Sequence, residues 1–422
     1  MGRFRKSIFT AASPNTQFND ALLSLRVLLN PFLYRKNKFN EKFKEDLSKY
    51  IKVDNISLVD SGRTALLTIL KALDLKEGDE VIMPSFTCVV VANAVSWSGA
   101  TPIYLDTNKV DFNADYSSLD SKITNKTKAI VVQHTFGKRV DIKGIRDSIK
   151  NYNRKLFIIE DFAHDIHRDI NPQGDIAFST FGIEKVMSTV RGGMIFTNDK
   201  AFHDSIEKVI ESYNDFPIKR VIISLLNPIF WFFAIPLHSV GIGRFTVGAM
   251  IRGIWRKLGF LGIMVEEKEN HALKPDWFPA KMSPALSRLG ILQLKKLDFY
   301  NSHRSEIAKI YNDQLISISD SSEFDNDRVY LRYPILLNSR EDWLKVWNLS
   351  RSLRVTLGNW FSSPLYGAGV DEKTYKKLCY VPATTEVTVK KTNLVLNLPT
   401  SINIDKKRAS ELALRIKEVL DL

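Results

Sequence analysis

KLFIIEDFAH, residues 155–164, runs through Leu156, Phe157, Ile158 and Ile159 and closes on Glu160, Asp161 and His164. A short, unbroken apolar run rich in β-branched residues reads as a strand buried on both faces. Strands of that kind belong to parallel sheets covered by helices, and such sheets place ligands beyond the carboxyl ends of their strands. The same pattern repeats outward in both directions. NISLVDS (55–61), DEVIMP (79–84), TPIYLD (101–106) and TKAIVVQHTFG (127–137) predict strands before it, and DIAFSTF (175–181) and GMIFTND (193–199) predict strands after it. RTALLTILKAL (63–73), VVVANAV (89–95) and residues 141–152 have helical spacing between them. Alternating strands and helices predict an α/β layer structure with a mostly parallel central sheet. Ser61-Gly62, Pro84-Ser85, His134-Thr135 and Asp161 all fall at the ends of predicted strands.

Those polar ends carry the chemistry. A carboxylate directly after a buried strand ordinarily makes a cap or turn. In a pyridoxal-phosphate enzyme, a carboxylate such as Asp161 keeps the pyridine nitrogen protonated, so that the ring accepts electrons when a substrate proton leaves. His164, three residues on, is within reach of the same ring, and its plainer reading is a hydrogen-bonded core histidine. Lys185 lies between two strand-like runs in FSTFGIEKVMST (178–189), with Gly192-Gly193 beyond it. Most lysines are solvated, but Schiff-base chemistry needs an amine in a partly desolvated place where the ammonium form is disfavoured. Thr180 offers a hydroxyl to a phosphate. Ser61-Gly62-Arg63-Thr64 stands between a strand and a helix, where free amide groups and the helix dipole bind phosphate; simple N-capping is the plainer alternative.

Composition sets the frame. With 422 residues, 44% hydrophobic and 25% charged, the chain has room for a large and a smaller domain with sizeable cores. The two cysteines, Cys88 and Cys379, give neither a disulfide framework nor metal-ligand spacing. No metal site is predicted, and a cytosolic location is expected, because the apolar stretch near the amino terminus is too short and polar for a secretory leader. The net charge of +13 is local. Residues 1–52 carry eleven Lys or Arg against four acidic residues, and residues 217–264 carry six against none. Nucleic acid is not expected as a partner, since no zinc-finger spacing or RNP-like aromatic motif accompanies the charge. The apolar, basic stretch 217–264 contains Pro228, Pro236 and several glycines. They are expected to interrupt any span of about 20 apolar residues, so no membrane-crossing helix is predicted. Together with the basic amino-terminal segment, the stretch suits peripheral contact with an anionic membrane; a buried hairpin or dimer contact is the alternative.

In order and together, SGRTAL (61–66), GDEVIMPSFTCVVVANAV (78–95), GATPIYLD (99–106), TKAIVVQHTFG (127–137), IIEDFAH (158–164), the spacing from Lys185 to Gly192-Gly193 and KMSPALSRLGILQLKKLDFYNSHR (281–304) resemble the DegT-type sugar aminotransferases, which are fold type I pyridoxal-phosphate enzymes. The resemblance implies a large cofactor-binding domain over 53–275, carrying the insertion 217–264, and a smaller α+β carboxyl-terminal domain over 276–422, preceded by the basic segment 1–52. It implies catalytic roles for Lys185, as the Schiff-base lysine, and Asp161, as the partner of the ring nitrogen. It further implies cofactor contacts from Gly62, Arg63, Thr64, Cys88, His164 and Thr180. The expected activity is transfer of an amino group from L-glutamate to a nucleotide-linked keto-sugar, for polysaccharide or glycoside biosynthesis, by a homodimer. Three departures stand out: Cys88 where an aromatic ring is common, Pro279-Ala280-Lys281 where Asn-x-Arg is common, and the size of the insertion. A lyase-type enzyme of the same fold and a non-catalytic relative share much of this pattern. Intact Lys185 and Asp161 argue against the second, and the bare context of Cys379 argues against a desulfurase.

Overall fold

Seven strands form the central sheet: β1 (Asn55–Val59), β2 (Glu80–Pro84), β3 (Thr101–Leu105), β4 (Thr127–Gln133), β5 (Phe157–Asp161), β6 (Ile176–Thr180) and β7 (Gly193–Thr197). Their spatial order is β1-β7-β6-β5-β4-β2-β3. Only β7 runs against the rest, antiparallel to both β1 and β6. The structure, a computed structural model, describes residues 6–11, 15–242, 245–262, 264–319 and 323–422. Arg3, Arg5 and Arg244, counted among the basic residues above, lie outside them.

The central strands are buried almost throughout, as a parallel sheet covered on both faces requires. Pro102 is tolerated in β3 because that strand is an edge, paired only with β2. Alternation sorts the side chains. Val81, Met83, Val131, Ile159 and Phe178 face one layer, formed by α3 (Gly62–Ala72), α4 (Val89–Trp97) and α6 (Lys200–Glu211), whose elements share a single core with them. Ile82, Ile130, Val132 and Ile158 face α5 (Ile142–Ile149) on the other side. The same side, under β1 and β7, is closed by α2 (Lys38–Ile51) and α9 (Pro284–Leu294) through Phe43, Leu47, Leu286 and Leu289.

The basic amino-terminal segment is therefore part of the body. α1 (Phe18–Leu28) and α2 bury Val27, Phe43, Leu47 and Ile51. Residues Ile8–Phe9 pair with Val355–Thr356 and tie the chain's start to its carboxyl-terminal part. α9 is followed by α10 (Leu297–Leu315), the two separated at Lys295-Lys296. α10 leads into a second core around Tyr311, Tyr333, Leu396 and Leu412. That core is built from the antiparallel pair β8 (Tyr333–Leu336) and β9 (Val395–Leu398), with α11 (Arg340–Ser352) and α12 (Lys406–Leu420).

One expectation fails. Pro228 and Pro236 do not break the insertion, which forms a continuous 20-residue helix, α7 (Ile218–Leu237), followed by α8 (Val247–Lys257). By length and composition α7 could cross a membrane. Half of its apolar window is nevertheless buried within the chain, including Val221, Leu225, Trp231 and Pro228 itself. A proline inside a helix removes one hydrogen bond and crowds the preceding turn. Packing of the buried stripe offsets that cost, because tertiary contacts supply most helical stability in a folded chain.

Candidate active site

The carboxyl ends of β1, β4, β5 and β6 converge on a cavity of about 360 Å³. Asp161, the last residue of β5, is 3% exposed in its wall. Its Oδ1 accepts the Ala163 N–H at 2.8 Å. Burial raises its pKa, opposed by that N–H and by the positive charge of Lys185. Gln133, paired with Asp161 across the sheet, is held by the Thr87 hydroxyl at 2.6 Å and donates to Thr135 Oγ1 at 2.8 Å.

Lys185 enters from the loop between β6 and β7. Burial pushes its amine down to about 8, against the opposing pull of Asp161. A buried ammonium is costly, so the neutral, nucleophilic amine becomes accessible near physiological pH. The loop is braced from behind. Asn15 donates to the carbonyls of Lys185 at 3.0 Å and Val186 at 2.9 Å, and the buried Arg304 donates to Asn15 Oδ1 at 2.7 Å and to Val186 at 2.8 Å.

His164 is a hydrogen-bonded core histidine that also lines the cavity. It is buried, and its Nδ1 accepts the Phe136 N–H at 3.1 Å, which leaves Nε2 as the protonated nitrogen of the neutral ring. Burial, then the charges of Lys185 and Arg332, hold its pKa well below the ordinary value. It also lines the cavity and stacks on Trp360, centroids 5.2 Å apart and planes 17° from parallel.

The anion end is built by close approach of backbone. Ser61 caps α3. A Cβ on Gly193 would lie 2.5 Å from the Ser61 carbonyl carbon, and one on Gly62 would lie 2.8 Å from the Thr180 Cβ. Those two glycines let β7 and Thr180 press against the helix start, where unpaired N–H groups favour an anion. Arg63 and Thr64 contribute less directly than their sequence position suggests. The Arg63 guanidinium pairs with Glu269, and the Thr64 hydroxyl donates to Asp60. Their side chains are held by these partners, and their backbone is what the helix start offers. Cys88, at the N-cap of α4, lines the cavity, its thiol pKa raised by burial.

Two residues were missed. Arg191 is buried beside Arg63, and burial, then that neighbouring charge, lowers its pKa to about 10. A bound dianion relieves both effects. The signal was its place directly before Gly192-Gly193. Trp360 comes from the carboxyl-terminal part and covers the cavity, with the Lys185 Nζ 4.5 Å and the Arg332 guanidinium carbon 3.4 Å from its ring centroid. Arg332 also pairs with Glu184, the neighbour of Lys185. Nothing local in the sequence pointed to Trp360.

Residues 19–214 and 254–417 match the sequence profile of the DegT/DnrJ/EryC1/StrS aminotransferase family. The chain belongs to that family. It is 38% identical over 315 residues to a GDP-perosamine synthase of Escherichia coli O157:H7, covering 73% of this chain and 72% of that one. It is 32% identical over 207 residues to a 3-oxo-glucose-6-phosphate:glutamate aminotransferase of Bacillus subtilis, covering 48% and 46% of the two chains. Its fold matches the crystal structure of ntda from Bacillus subtilis with a TM-score of 0.73 and 21% identity, over 99% of this chain and 86% of that one. The protein is a pyridoxal-phosphate-dependent aminotransferase of fold type I. Its cavity fits that cofactor on its own terms. The amine of Lys185 is desolvated, a buried carboxylate stands at the end of β5, and the opposite end gathers amide groups beside a buried arginine.

Proposed function

We propose that the protein moves an amino group from L-glutamate to a nucleotide-linked keto-sugar, with Lys185 and Asp161 as its catalytic residues. The observation that carries the assignment is that both line one cavity, Asp161 buried and Lys185 half-buried, where desolvation brings the Lys185 amine to about 8. Bound there, pyridoxal phosphate supplies the aldehyde and the electron-accepting ring. Lys185 would hold the aldehyde end, and its neutral amine would move the substrate's proton. Asp161 keeps the ring nitrogen protonated. His164 and Cys88 border the ring, while Thr180, the helix start at Gly62–Thr64 and Arg191 hold the phosphate.

The relatives support these substrate classes: one is a GDP-perosamine synthase, and the other a 3-oxo-glucose-6-phosphate:glutamate aminotransferase. On this reading the enzyme works in the cytosol as a homodimer. A peripheral contact with an anionic membrane face completes it, carried by the inserted helices rather than by the catalytic body.

Borohydride reduction of the holoenzyme followed by peptide mapping tests the assignment. The label is expected on Lys185 alone, and label on another lysine, or on none, refutes it. Lys185→Ala should abolish turnover with L-glutamate and a panel of nucleotide-linked keto-sugars. Asp161→Asn should retain cofactor but lose on the order of a hundredfold or more in turnover, as removal of a preorganised charge does elsewhere.

A further inference from the structure

Residues 215–253 fall between the two segments that match the family, so α7 and the first half of α8 stand outside the shared pattern. α8 has two apolar rows. Ile251 and Trp255 face inward and pack with α7, the Trp255 ring 4.9 Å from that of Phe230. Met250, Ile254 and Leu258, each four residues from the next, form a second row that is 63%, 52% and 59% exposed. Phe233 of α7 and Phe260 are exposed as well. Arg252, Arg256 and Lys257 are exposed on the same helix and make no ion pair with any described residue. Arg220, at the base of α7, pairs with Glu266.

We propose that α8 docks the enzyme on an anionic lipid surface. The helix lies in the plane of the interface, with Met250, Ile254 and Leu258 at the boundary of headgroups and acyl chains and Arg252, Arg256 and Lys257 on lipid phosphates. An apolar row exposed on one face, with cations and no acidic residue elsewhere on a helix too short to span a bilayer, is the pattern of interfacial binding. Charge selects the occupant. A second copy meeting this face in a two-fold contact would set the same surface against itself. Arg252, Arg256 and Lys257, on a helix without an acidic residue, would then face their own images. Anionic headgroups reverse that repulsion into attraction. α7 stays in the protein, because crossing a membrane would strip Val221, Leu225 and Trp231 from the core they fill.

Flotation of the full-length holoenzyme with vesicles tests the proposal. Binding is expected to mixed phosphatidylcholine–phosphatidylglycerol vesicles, weakened by salt, with little binding to phosphatidylcholine alone. Each neutralised cation should lower partitioning about fivefold, so Arg252→Gln, Arg256→Gln and Lys257→Gln together should lower it about a hundredfold. Met250→Glu with Ile254→Glu should abolish binding. Both variants leave the inward row intact, so cofactor absorbance and melting should match the wild type. Absence of binding to anionic vesicles, equal binding to neutral ones, or indifference to both variants overturns the proposal. Protein that resists carbonate extraction would show a spanning helix, and a dimer that Met250→Glu with Ile254→Glu turns into a monomer without lipid would show a second copy on this face. Either result overturns it too.

Discussion

Replacing Lys185 with Met in cofactor-stripped protein should stabilise it near pH 7, and by less as the pH rises. The Lys185 amine sits at about 8 in the fold against 10.5 for an exposed lysine, with burial as the first cause. Below pH 8 both the folded and unfolded chains carry the proton, and the fold bears the full cost of a buried ammonium. Between 8 and 10.5 the unfolded chain keeps its proton while the folded chain releases it, so stability climbs with pH. Above 10.5 neither form is charged, and the cost is gone. At about 1.4 kcal/mol per pKa unit, the cost is about 3 kcal/mol near pH 7 and about 1.4 kcal/mol near pH 9.5. Methionine keeps an unbranched chain without the charge, and whatever its own packing contributes is the same at both pH values. Urea unfolding of wild type and variant at the two pH values gives the difference. The gap between them should close by about 2 kcal/mol as the pH rises. A gap that does not change with pH would show that the amine is not depressed, and the case for a desolvated nucleophile would fall with it.

Gly193→Ala places a Cβ against the Ser61 carbonyl, which is backbone and cannot swing aside. It should destabilise the protein by about 1–3 kcal/mol and weaken cofactor binding, read by thermal melting and cofactor titration. Asn15→Ala strips the carbonyls of Lys185 and Val186 of a donor and Arg304 of an acceptor. Each buried group left unsatisfied costs about 1–3 kcal/mol, so the variant should unfold at lower urea and release cofactor faster than wild type. Unchanged release would show that the loop carrying Lys185 holds itself.

Local pattern made most of the large domain legible. Buried parallel strands leave a mark in sequence because both faces demand apolar side chains, which is why the strands from Asn55 to Thr197 fall within the predicted runs. Asp161, Lys185, Gly62 and Thr180 were legible for a related reason: each stands at a strand end or beside one, where chain order fixes spatial order. α7 was misread because the cost of Pro228 is local while the packing that offsets it is not. Arg63 and Thr64 lie in the first turn of α3, but their side-chain partners Glu269 and Asp60 are properties of the folded neighbourhood.

The sequence by itself determined the alternation of strand and helix, the order of the polar strand ends and the chemical identity of the residues there. Tertiary structure alone decided that Trp360 and Arg332 cover a lysine about 175 and 147 positions earlier, and that Asn15 braces its loop from near the start of the chain. It also decided that one row of α8 is left exposed by the described residues of its own chain. The physical reason is range. Backbone periodicity and strand-end geometry act over a few residues and are written in them, whereas desolvation, stacking and coverage depend on what the rest of the chain brings alongside.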